Sequence, residues 1–90
     1  MKLQPHDVER IFKGFANRRR ILIILHVAKN HEATVGDVAL HIKLSFKATS
    51  RHLSVLAAAH ILEREQRGLY MYYRLAQDIP SLAHKIIALL

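Results

Sequence analysis

Apolar residues recur at helical spacing through most of the chain. Val8, Ile11, Phe12 and Phe15 fall at i, i+3, i+4 and i+7, which predicts a first helix over about Asp7 to Ala16 with one apolar face. Gly14 weakens that helix slightly. Asn17 is a good N-cap for a second helix, whose Ile21, Leu22, Ile23, Ile24, Leu25, Val27 and Ala28 are apolar nearly all round. Such a helix belongs in the middle of the core. The same β-branched run fits a buried strand, but its length and the Asn17 cap favour helix, and Lys29-Asn30-His31 is a polar stop.

Thr34-Val35-Gly36-Asp37 has the capping-box pattern and predicts a short third helix to about Ile42, with Val38, Ala39 and Ile42 inward. Lys43-Leu44-Ser45 reads as a turn, and Ser45 caps a fourth helix reaching Ala59 or His60. In that helix Thr49, Leu53, Leu56, Ala57 and His60 are expected to face inward, while Lys47, Ser50, Arg51 and Ser54 face outward. From Ile61 the period changes. Leu69, Met71, Tyr73 and Leu75 alternate with Tyr70, Tyr72 and Arg74 beyond an Arg67-Gly68 turn, which predicts a β-hairpin with the first set inward. Pro80 opens a fifth helix over Ser81 to Leu90. The order helix, helix, helix-turn-helix, hairpin, helix predicts a mainly α fold with a small β-hairpin wing. This is the winged helix-turn-helix layout, in which the second helix of the turn can enter a major groove.

Length and composition narrow the picture. Ninety residues allow one domain, residues 1–90. Such a chain buries only about 60% of its unfolded surface, so its core is marginal and needs a supplement. With 0 Cys, no disulfide, cysteine-ligated zinc or thiol catalysis is available, which leaves oligomerisation. Fourteen Lys and Arg against seven Asp and Glu give a net charge of +7, large for this size, and point to a polyanionic partner. No apolar run is long enough to span a membrane, and the first residues lack an apolar signal core, so a cytoplasmic protein without a membrane partner is expected.

Three basic groupings carry candidate chemistry. Between Val38 and Leu62 there is no acid, yet Lys43, Lys47 and Arg51 are present. Lys47, Ser50, Arg51 and Ser54 share one helical face, and these are the residue types that read base edges and phosphates. Arg18-Arg19-Arg20 opens the second helix, where each exposed cation opposes the macrodipole by about 0.3–1 kcal/mol; a nearby phosphate would turn that cost into a gain. Arg64, Gln66 and Arg67 surround the hairpin tip, with Tyr72 and Arg74 on its outward face, so the wing is a third candidate contact.

The 7 His are spaced so that no helix offers an adjacent pair, and no metal or other cofactor is expected. No nucleophile elbow or Gly-rich anion loop accompanies Ser50, His52 or Asp37, so an enzyme is not expected.

Three stretches together resemble the ArsR/SmtB-type winged-helix repressors. They are Asn17-Arg18-Arg19-Arg20-Ile21-Leu22-Ile23-Ile24-Leu25, Thr34-Val35-Gly36-Asp37-Val38-Ala39 and Leu44 to Leu56 with its Ser50-Arg51-His52-Leu53 core, followed by the Tyr72-Tyr73-Arg74-Leu75 strand. The resemblance covers about Phe12 to Leu75. It implies a homodimer built from the first and last helices, a palindromic double-stranded DNA operator, and DNA contacts from Lys47, Ser50, Arg51 and His52. The chain lacks the cysteine pair that metal sensors of the family carry in the third helix. Of the last-helix metal pattern only Asp78 and His84 are present. Metal sensing therefore does not carry over from the resemblance, a site assembled across two chains from Asp78 and His84 stays open, and the effector is left unidentified.

Apolar residues on more than one face of the last helix agree with a dimer. Val8, Ile11, Phe12, Phe15, Leu82, Ile86, Leu89 and Leu90 are the expected interface. The expected function is a dimeric, sequence-specific DNA-binding regulator acting as a repressor. The alternative from another class is a winged-helix protein-interaction module without specific DNA binding.

Overall fold

The computed structural model describes residues 2–90. Helix α1 spans Pro5–Phe15, α2 Arg18–Asn30, α3 Val35–Ile42, α4 Phe46–Ala58 and α5 Ser81–Ala88. Strands β1 (Ala33–Thr34), β2 (Leu62–Arg67) and β3 (Tyr70–Leu75) form one antiparallel sheet in the order β1-β3-β2. The mainly α winged helix-turn-helix expected from the sequence is the observed architecture.

The helix starts follow their caps. Helix α1 begins two residues earlier than its apolar stripe suggests, because Pro5 fits a first helical position and the Asp7 carboxylate accepts from the Gln4 amide at 3.0 Å. Asn17 accepts from the Arg20 amide at 3.2 Å to open α2. Thr34 and Asp37 exchange both bonds of a capping box, at 3.1 and 3.2 Å, and Ser45 accepts from the Ala48 amide at 3.1 Å to open α4. Between α3 and α4 the chain turns at Lys43, whose φ of 56° is left-handed.

The core draws on every layer. Ile23, Ile24 and Val27 of α2, Val38 of α3, Leu53 and Leu56 of α4, Ile61, and Ala83 of α5 have 0% exposure. Ile11 and Phe15 bring α1 onto them. Gly14 is where α1 meets the end of α4, since a Cβ there would stand 2.9 Å from Ile61 Cδ1 and 3.3 Å from Leu56 Cδ2. Tyr73 closes the core from the wing, and Ala33 and Thr34 of β1 pair with Tyr73 and Tyr72.

Several sequence expectations are corrected. Strand β1 is an addition to the sequence reading, and its two residues are too few to carry a period. Helix α2 is not buried all round, since Leu22 and Leu25 are exposed. His60 lies outside α4 with a φ of 59° and is exposed, because the helix ends at Ala58. Leu69 is 94% exposed because it occupies the hairpin tip rather than the strand. There Gly68 takes the positive φ, 60°, that the first central residue of a tight type II′ hairpin requires.

Thr49 is a fully buried polar side chain in the core, and its Oγ1 has no hydrogen-bond partner among the described residues. Thr49→Val keeps the branching and removes the orphan hydroxyl. It should raise unfolding stability by about 1 kcal/mol, read as a higher urea midpoint at unchanged slope. A lower midpoint would mean that the hydroxyl is bonded in solution.

Candidate nucleic-acid interface

The inward stripe of α4 decides its outward face. With Thr49, Leu53 and Leu56 in the core, Lys47, Arg51 and Ser54 are exposed and Ser50 is half-buried. The Ser54 hydroxyl donates to the Ser50 carbonyl at 3.0 Å, so within the chain it serves its own helix. His52 sits on the flank of α4, between the stripe and the outward face, and is half-buried.

The three arginines that open α2 have different surroundings. Arg18 and Arg19 are exposed and have no acidic partner among the described residues. Arg20 is half-buried. Its Nε donates to the Gly14 carbonyl at 3.2 Å, its Nη2 to the Lys13 carbonyl at 2.5 Å, and its Nη1 to His52 Nδ1 at 3.3 Å. Arg20 thus differs from Arg18 and Arg19 in that its guanidinium is engaged within the chain. Arg20 occupies the C-terminal end of α1, where unpaired carbonyls and the negative end of the helix dipole favour a cation.

His52 marks where the two basic groups meet. Burial, and then the charges of Arg20, Arg19 and Arg51, hold its imidazole below the ordinary histidine pKa. The Arg20–His52 hydrogen bond at 3.3 Å sets the start of α2, with its exposed Arg18 and Arg19, beside the flank of α4, whose Lys47 and Arg51 are exposed.

The fold and this surface can be set beside known proteins. No family model matches the chain. It is 33% identical over 70 residues to the transcriptional repressor SdpR of Bacillus subtilis, covering 76% of this chain and 74% of that one. It is also 33% identical over 78 residues to the arsenical resistance operon repressor of Escherichia coli, covering 87% and 67%. The chain belongs to the ArsR family of winged-helix regulators. Among solved structures, the homodimeric winged helix-turn-helix DNA-binding domain of a possible ArsR-family regulator from Mycobacterium bovis superposes with a TM-score of 0.80. That match has 27% identity and covers 93% of this chain and 74% of that one.

Within this ArsR-family fold the wing differs from its sequence reading. Arg67 pairs with Glu32 at 2.7 Å and Glu65 at 3.6 Å, and its guanidinium lies 3.8 Å over the Tyr72 ring. Arg74 binds Glu63 at 3.0 Å and Glu65 at 3.0 Å. Gln66 donates to the Gly68 carbonyl at 3.4 Å. Arg64 alone of these wing cations has no acidic partner among the described residues. It lines a cleft of about 430 Å³ with Ser54, His60 and Glu63, between α4 and β2. Glu63 and Glu65 stand opposite Arg74 and Tyr72, a pairing readable only once the strand register is known.

The expected dimer face is also corrected in part. Ile11 is 1% exposed and Phe15 is buried, so both pack in the chain's own core and offer little open surface. Phe12 at 52%, Leu89 at 86% and Leu90 at 59% are exposed, and Val8, Leu82 and Ile86 are half-buried. The sequence reading also missed a stack of His26 on His41, with ring centroids 4.1 Å apart. It lies across α2 and α3. No group of three or more His, Asp or Glu among the described residues could hold a metal ion.

His26 and His52 make stability depend on pH. Burial first, then the charge of His41, lowers the pKa of His26 from its ordinary 6.5, and burial first, then Arg20, lowers that of His52. Below pH 6.5 the unfolded chain therefore takes up protons before the folded one, and stability falls as pH falls. Thermal unfolding should show a lower midpoint at about pH 5.5 than at about pH 7.5, and His26→Gln and His52→Gln should each shrink the difference. Variants with the parent's pH profile would contradict the assignment.

Proposed function

We propose that this chain is a sequence-specific, double-stranded-DNA-binding transcriptional regulator that acts as a homodimeric repressor on a palindromic operator. The observation that carries the reading is the hydrogen bond from Arg20 Nη1 to His52 Nδ1 at 3.3 Å, which sets the start of α2 and its exposed Arg18 and Arg19 beside α4 and its exposed Lys47 and Arg51. In this reading Arg51 and Lys47 enter the major groove, Arg51 pairing with a guanine edge, and Ser50 and Ser54 lie beside them. Arg18 and Arg19 hold phosphates at the groove edge, and Arg64 follows the backbone from the wing.

Dimerisation completes the site. One recognition helix covers a single half-site, and a two-fold axis presents a second one in the next major groove. Phe12, Leu89 and Leu90, with the half-buried Val8, Leu82 and Ile86, are the apolar surface that a second copy would cover. The relatives are named as repressors, which supports the sign of regulation and argues against both an enzyme and an interaction module without DNA. Among the described residues no helix is long and apolar enough to cross a membrane. A cytoplasmic site of action, where the DNA is, is part of the proposal.

Selection from a random duplex pool should return a palindrome. Arg51→Ala should lose about 1–3 kcal/mol of discrimination for each half-site contact. Arg19→Ala should weaken all sequences alike and reduce the salt slope by about 0.9 for each phosphate that is no longer neutralised. Phe12→Glu should shift the solution mass to the monomer and weaken operator binding with it. A pool that returns no preferred sequence, with wild-type affinity indifferent to Arg51, would favour the interaction module instead.

A further inference from the structure

Arg20 is the only side chain among the described residues that hydrogen-bonds to both α1 and α4. Its guanidinium reaches the Lys13 and Gly14 carbonyls on one side and His52 Nδ1 on the other. A guanidinium can only donate, so the Nδ1 that receives from it must carry the lone pair. The ring proton of a neutral imidazole then resides on Nε2. No protein group among the described residues is hydrogen-bonded to that Nε2, and the half-buried His52 lies on the flank of α4 beside the start of α2. A phosphate held there by Arg19 would lie beside it.

We propose that His52 binds the duplex as an uncharged donor, giving Nε2–H to a phosphate oxygen, and that Arg20 is the positioning residue that locks its tautomer and ties α4 to α1. This rests on the DNA-binding reading above. The charged groups around the ring, Arg20 and Arg19 from α2 and Arg51 from α4, are all cationic and disfavour a second ring proton. Arg20 thus contributes to recognition through fixed geometry, while Arg19 contributes through charge. The link also joins the recognition helix to the helix that carries Phe12, so docking of a second copy on α1 and placement of α4 share one side chain.

Two sets of measurements test this. In the free protein near neutral pH, long-range ¹H–¹⁵N spectra should show His52 as a single tautomer, protonated at Nε2, and Arg20→Lys should give a mixture of tautomers although the charge is kept. On a duplex selected by the wild type, Arg20→Lys and Arg20→Ala should both bind roughly five- to tenfold more weakly with the wild-type salt slope. His52→Asn should lose a similar factor, and His52→Gln, whose amide nitrogen reaches the Nε2 position, should recover most of it. If Arg20→Lys binds like the wild type while Arg20→Ala flattens the salt slope, Arg20 is a phosphate contact and the proposal is wrong. A wild-type His52 that is doubly protonated or tautomerically mixed overturns the lock directly. If the wild type has no duplex affinity, the proposed function falls and the Nε2–H contact with it, and the spectra of the free protein still report separately on the lock.

Discussion

The structure depends on the burial of one side of α4. In so short a chain the helix that would read DNA cannot be an appendage; it has to be a core element as well. Leu53 and Leu56 reach 0% exposure against Ile23, Ile24 and Val27 of α2 and the residues that follow α4. At about 25 cal/mol per Å², such side chains contribute about 1.5–3 kcal/mol each when fully buried, a large share of the 5–15 kcal/mol that holds a domain together. Because the helical period is fixed, that burial also decides which residues are left outside. Lys47 and Arg51 face solvent as a consequence of where the leucines are.

The placement of acids sorts the basic surface into working parts. The stretch from Val38 to Leu62 has no carboxylate, whereas the wing carries Glu63 and Glu65 and receives Glu32 from the loop before β1. As a result Arg67 and Arg74 are paired across the sheet, and the wing is stiffened and largely neutralised. The exposed cations without acidic partners among the described residues include Arg18 and Arg19 at the start of α2 and Lys47 and Arg51 on the open face of α4. A net charge of +7 alone would not distinguish that arrangement from a uniformly positive shell.

Much of this was legible in the sequence because the signals are local. Asn17, Thr34 and Ser45 announce three helix starts, and each makes the expected cap bond. The apolar period of α4 predicted its inward stripe as far as Leu56, and the period of two predicted the strand from Met71 to Leu75. What could not be read depends on contacts between distant residues. Arg20 finds the end of α1 and the flank of α4 only after both helices have packed, and Glu32 meets Arg67 across 35 positions of chain. Ile11 and Phe15 look the same in sequence whether an apolar stripe meets its own core or a second copy, and here they meet the core. Strand β1 exists because Tyr73 and Tyr72 offer it an edge, which two residues of sequence cannot advertise.

The central claim is that one continuous surface, from the start of α2 across the open side of α4, meets the duplex. Backbone and side-chain NMR shifts followed through titration with a duplex test it most directly. The account predicts the largest changes at Arg18, Arg19, Lys47, Arg51 and His52, a smaller one at Arg64, and little at the paired Arg74 or at the His26–His41 stack. Changes centred on α3 or on the outer strand, with α4 unmoved, would contradict it.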